Sequence, residues 1–273
     1  MEFLIRTGVT SAIVALVLLA ARRFGPRTGG VLAGLPFTTV PALGWTAVGG
    51  GADLAARVAV GTVAGCLLVP LFAVAYDRTA RRGSPGRALV AGLAAVCCGV
   101  ALAGRMPGTL AAAAVIGGAS GLAALQILPV PASVRTPAGA APCSARLIAI
   151  GVALVGIVSA AIAALSGVTT PRSAGLLAGL PTLGLVTLVR LHRAEGIVGV
   201  TPFLRGYVIS TLGRAIFGTV FALMAVPAGT TAAMLVAILA GASFCMATSG
   251  IEGRRLSNGP VEPFARTLEC RGD

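Results

Sequence analysis

The sequence predicts an all-α polytopic membrane protein with about nine transmembrane helices, built as two inverted four-helix repeats joined by a linker helix. Three observations predict it. Of 273 residues, 56% are hydrophobic and 11% charged, and the mean hydropathy is +0.96. Apolar runs near 20 residues, the length that crosses a bilayer as helix, recur along the whole chain. One Pro-bracketed phrase is also written twice, as PRTGGVLAGLP at 26–36 and as PRSAGLLAGLP 145 positions later, at 171–181. The copies share Pro26/Pro171, Arg27/Arg172, Gly30/Gly175, Leu32/Leu177 and the run AGLP.

The first span, 3–21, follows MEFLIR and stays apolar to Ala21. Arg22 and Arg23 then stand where a cleavage site would need small residues, so the segment reads as a retained helix and not a signal peptide. The second span, 29–48, opens on the first phrase, and the Gly-rich turn VGGGAD separates it from the third, 54–76. RRGSPGR leads to the fourth, 87–104, and GRMPG to the fifth, 108–129. A longer polar connection, LPVPASVRTPAGAAPCSAR, precedes the sixth at 146–166. SGVTTPR opens the seventh (173–190), RLHRAEG precedes the eighth (204–226), and VPAG the ninth (230–249). From Glu252 the tail is polar and punctuated by Pro and Gly, which predicts disorder. The expected organisation is a first repeat at 1–106, a linker helix at 107–130, a cytoplasmic loop at 131–145, a second repeat at 146–250 and a tail at 251–273.

Arginine orients the bundle. Alternate connections and the tail carry sixteen arginines: 22, 23, 27, 78, 81, 82, 87, 135, 146, 190, 193, 205, 254, 255, 266 and 271. The other set carries four, Arg6, Arg57, Arg105 and Arg172. The positive-inside rule then puts the N-terminus outside and the C-terminus in the cytoplasm of a bacterial inner membrane, which an odd number of spans satisfies. Net charge is +13, but the arginines sit between apolar runs and form no basic stripe with interleaved aromatics, so nucleic acid is not an expected partner.

The first phrase opens the second helix from the cytoplasm and the second opens the seventh from outside. Five helices lie between equivalent positions, and an odd number inverts the copy. A weaker match, ARVAVGTV at 56–63 against GRAIFGTV at 213–220, pairs Arg57 with Arg214. The fifth helix supplies the extra crossing, with Gly117 and Gly121 in the spacing that lets backbones approach.

The stretch from about 20 to 76, with AGLPFTTVP, a Gly-rich turn, Arg57, Pro70 and Tyr76, resembles the GlpM family of small four-helix bacterial inner-membrane proteins. That resemblance implies a four-helix unit more than an activity. In the second half it rests on AGLP alone, since a second proline like Pro41 is lacking. LPFTTVP also approaches a urea-transporter phrase but departs from it at Ala42.

Proline in an apolar helix frees carbonyls that need new partners. Pro36 and Pro41 bracket Thr38 and Thr39, and Pro181 precedes Thr182. These six make the expected solute-binding set together with Arg214, the one charge deep in a span. Arg at a helix centre costs about 2.5–3.5 kcal/mol on insertion scales and needs a cavity or a partner. The alternative for each is structural: kinks that improve packing, hydroxyls bonded to the preceding turn, an arginine that snorkels.

His192 is the one histidine and sits beside Arg190 and Arg193, as expected of a solvated turn. There is no HExxH, no Asp-rich motif and no Ser/His/Asp set, so neither an enzyme, a metal site nor a cofactor is expected. The six cysteines contain no CxxC and read as small buried hydrophobes. Two functions stay open. One is a transporter or channel for a small solute, anionic if Arg214 faces it, with its site where the repeats meet. The other is a non-catalytic partner that packs against a second copy or another membrane subunit through Gly-rich faces.

Overall fold

The computed structural model describes residues 5, 7–12, 31, 36, 38–130, 145–165 and 168–257, and is helical with no strand among them. The helices are α1 (Thr39–Gly65), α2 (Leu68–Ala80), α3 (Pro85–Arg105), α4 (Leu110–Ile127), α5 (Ala145–Leu165), α6 (Pro171–Leu176), α7 (Thr182–Met224) and α8 (Thr230–Ser257). A single 3-10 turn, Leu177–Gly179, follows α6. Residues 7–12 are helical and lie against α5, where Ser11 donates to Val152 O at 3.2 Å. The connection at 131–144, most of the first phrase, and the tail beyond Ser257 lie outside the described residues. Residues 252–257, expected to begin a disordered tail, instead prolong α8, since Glu252, Arg254 and Arg255 carry good helix propensity.

Five stretches are long and apolar enough to cross a membrane: Thr39–Ala80, Pro85–Arg105, Leu110–Ile127, Leu191–Met224 and Thr230–Thr248. They fall into two kinds. The most apolar windows of the first and fourth are 78% and 67% buried, while those of the other three are 22–28% buried. So α1–α2 and α7 form the centre, and α3, α4 and α8 line the outside. Each outer helix turns small residues inward at three- and four-residue spacing: Ala88, Gly92, Val96 and Gly99 on α3, Ala113, Gly117 and Gly121 on α4, Ala233, Ala237 and Gly241 on α8. Their large apolar side chains face outward, among them Val90, Leu102, Val115, Leu122, Leu235 and Leu239. Water would penalise that arrangement, whereas it suits a bundle surrounded by lipid, where close backbone approach and not apolar burial holds helices together.

The seventh expected span is broken, not merely bent. α6 ends at Leu176, the 3-10 turn runs to Gly179, Leu180 is extended (ψ 135°), and α7 restarts after Pro181. AGLP is thus the break itself. Pro41 causes none: it is the third residue of α1, where the first amide donors lack intrahelical partners in any case. The helix starts on Thr39, with Val40 N bonded to Pro36 O at 2.8 Å.

α6 and its turn lie across α1 with glycine facing glycine. A Cβ on Gly61 would strike the Arg172 backbone, one on Gly175 would strike Val58 O and lie 2.8 Å from Gly61 Cα, and one on Gly179 would lie 2.7 Å from Gly65 Cα. Two four-residue glycine pairs, Gly61/Gly65 and Gly175/Gly179, therefore form one close crossing. α4 straddles the two central helices, with Gly117 against Val63 and Cys66 and Gly121 against the Leu212 side chain.

The two halves share a spacing. α1 is interrupted at Gly51 (φ 80°, ψ 174°) and α7 at Gly196 (φ 64°, ψ −154°), in a region open only to glycine, and these residues are 145 positions apart. The same interval relates the ring pair Phe72–Tyr76, with centroids 5.6 Å apart, to Phe217–Phe221 at 6.2 Å. It also relates the first residues of α3 and α8, Pro85 and Thr230, and their inward positions Ala88/Ala233, Gly92/Ala237 and Val96/Gly241. In this register Arg214 stands opposite Val69, and Arg57 opposite Pro202. The expected Arg57/Arg214 pairing needs an interval of 157 and would displace the matching breaks by three helical turns. Arg57 instead pairs with Asp53 one turn earlier on an exposed face.

Candidate functional site

The break at AGLP strips α6 of its continuation and leaves the carbonyls of its last turn without intrahelical donors. In the 3-10 turn that follows, Ala178 O accepts from Arg214 Nη1 at 2.9 Å. Arg214 stands 18 residues beyond the Gly196 interruption, on the stretch of α7 that runs at the centre of the bundle, and is 3% exposed. Its Nε and Nη2 are buried with no hydrogen-bond partner. The Cys66 thiol, which donates to Thr62 O at 3.4 Å, and the Tyr207 ring lie within electrostatic reach of the guanidinium. Cys66 occupies the interruption between α1 and α2 and touches α4 at Gly117, while Tyr207 packs against Gly184, just past the break. Cys66, the break and the Tyr207 stretch of α7 therefore converge around one cation, with α4 and the start of α7 packed behind them.

The other expected residues are distributed along the two breaks. Pro181 is buried and caps α7, its carbonyl accepting from Leu185 N at 2.9 Å. Thr182 is the first residue of α7, and its side chain lies outside the described residues. Pro36 is a half-buried bend, Thr38 caps α1, and Thr39 is fully buried with an unpartnered Oγ1. Pro41 is half-buried in the first turn of α1. The guanidinium meets the second break through Ala178 O, and no hydrogen bond joins it to the hydroxyls of Thr38 or Thr39.

Three polar groups that connection-counting assigned to surfaces are structural. Arg205 is 8% exposed, and its Nη1 donates to Leu125 O (2.9 Å) and Leu128 O (2.6 Å), closing the C-terminus of α4. Arg172 does the same for α3, donating to Met106 O at 2.6 Å and Ala103 O at 2.7 Å. Both place a cation on the negative end of a helix dipole. His192 is half-buried, and its Nδ1 lies 3.0 Å from the Tyr76 hydroxyl.

Beside Tyr76, Asp77 is 3% exposed. Its carboxylate accepts from Arg81 Nε at 2.8 Å and Nη2 at 3.1 Å, and from Thr201 Oγ1 at 2.9 Å. The signal that could have found Asp77 is the i,i+4 Asp–Arg spacing at the end of an otherwise apolar run. Cys66 and Cys245 are buried as expected, whereas Cys97 and Cys98 face outward on α3.

The fold and this site define a helical bundle with membrane-length apolar helices, a central broken helix and a buried arginine at the break. No protein-family model matches the chain, and no curated protein or solved structure is similar to it. The likeness to the GlpM family therefore rests on the residues quoted above.

Proposed function

We propose that the chain is a bacterial inner-membrane transporter or channel-like protein for a small anionic solute, with two inverted repeats and a site at the AGLP break. The observation that carries this reading is the buried guanidinium of Arg214, one edge bonded to Ala178 O and the other without a partner. A broken helix whose exposed backbone and a buried cation share one spot is how membrane proteins bind polar solutes away from water. The 145-residue interval supports the duplication, and the five spans between equivalent elements make the second copy inverted. The partner-subunit reading is weaker, because the small-residue faces of α3, α4 and α8 are spent inside the bundle.

Two experiments test the proposal. In a cysteine-free background, a cysteine at Ser84 is expected to be labelled from the cytoplasm only and one at Gly50 from outside only. Reversed labelling would refute the orientation and the inverted plan built on it. In proteoliposomes, the wild type is expected to speed equilibration of small organic anions across the bilayer, and Arg214→Gln to abolish this while remaining monodisperse. Equal rates with and without protein would refute transport.

A further inference from the structure

The direction of the unpartnered edge narrows the ligand. A guanidinium presents two kinds of fork: an end-on pair from Nη1 and Nη2, and a side-on pair from Nε and Nη2. In Arg214 the bond from Nη1 to Ala178 O occupies one end, and Nε and Nη2 have no oxygen acceptor, the Cys66 thiol being the polar side chain that approaches the guanidinium. Nε and Nη2 donate in parallel within the guanidinium plane, at a separation that matches the two oxygens of a planar anion. The bond to Ala178 O fixes that plane relative to the break, so the fork is oriented before any ligand arrives.

Charge narrows it further. The acids with described side chains are engaged or distant: Asp53 pairs with Arg57, Asp77 with Arg81, and Glu195 stands five turns or more from Arg214 along α7. One cation in a low-dielectric site is balanced by one negative charge, and a dianion would leave an uncompensated buried charge. Among the described residues, those in electrostatic contact with this guanidinium are a thiol and an aromatic ring, Cys66 and Tyr207, and neither is a cation that would hold a third or fourth oxygen.

We propose that the Arg214 site binds a small monocarboxylate, its two oxygens held side-on by Nε and Nη2. This rests on the reading of Arg214 as the solute site and adds the chemical class of the solute.

The test is a thermal-unfolding titration of the purified full chain at constant ionic strength and pH 7 with acetate, propionate, chloride, phosphate and sulfate. Saturable upward shifts are expected for acetate and propionate, with apparent affinities at least tenfold above those for the other three. Arg214→Lys keeps the charge but lacks the planar fork, and is expected to lose at least tenfold in carboxylate affinity; Arg214→Gln is expected to lose the shift. Should neither variant fold, the selectivity order of the wild type decides alone. Equal or stronger shifts with chloride, phosphate or sulfate would overturn the carboxylate assignment while leaving an anion site. Undiminished binding by Arg214→Lys would overturn the fork. No shift with any anion would overturn the site and the proposed function together, whereas carboxylate binding without uptake would remove transport alone.

Discussion

Gly175→Val is expected to prevent assembly of the bundle. Its Cβ would strike Val58 O and press on the backbone of Gly61, so the crossing of α6 over α1 opens or the chain misfolds. Backbone against backbone leaves no flexible side chain to yield. Even alanine, at Gly175 or at Gly179, is expected to cost at least the 1–3 kcal/mol typical of overpacking. Gly118→Ala on α4 is the matched control. Nothing lies within 4 Å of its Cβ position, and replacing an interior helical glycine by alanine is worth about 0.5–1 kcal/mol. Detergent size exclusion and thermal unfolding check both: aggregated Gly175→Val beside a slightly stabilised Gly118→Ala is the expected pair. A monodisperse Gly175→Val with unchanged melting would mean that the close crossing does not exist.

Arg205→Met is expected to destabilise the protein by about 3–5 kcal/mol, from two charge-assisted bonds worth roughly 1.5–3 kcal/mol each. Two carbonyls at the end of α4, those of Leu125 and Leu128, lose their donor where little water can replace it. The effect should appear in unfolding and not in orientation: cysteines at Ser84 and Gly50 should still label from opposite sides. A variant that melts like the wild type but inserts in mixed orientations would return Arg205 to the topology signals.

What the sequence made legible follows from what each signal measures. Apolar run length gave the helices, because spanning requires length and little else. The four-residue spacing of Gly117 and Gly121 gave a packing face, and both glycines do face neighbours. Arginine counting left Arg172 and Arg205 as charges beside connections, because it cannot see the helix-end carbonyls that another helix brings to them. The two AGLP phrases already carry the interval of 145, whereas the weaker GTV match pointed to 157. GTV at 61–63 and 218–220 is a match of common membrane residues, whereas the backbone breaks at Gly51 and Gly196 are set by chain reversal and keep the interval of 145. Arg214 was found because a lone charge in an apolar run is conspicuous. Its partner Ala178 was not, since no side chain announces a freed carbonyl.

Tyr76 and Asp77 are consecutive on α2, and they hold opposite sides of the Gly196 interruption: His192 precedes it and Thr201 follows it. Consecutive side chains leave a helix about 100° apart around its axis. Rolling α2 in either sense therefore cannot shorten both attachments together, because what slackens one stretches the other. The pair acts as a torsional stop, and the angle at which α7 reverses its course is set by the azimuth of α2 and not by glycine, which would tolerate many.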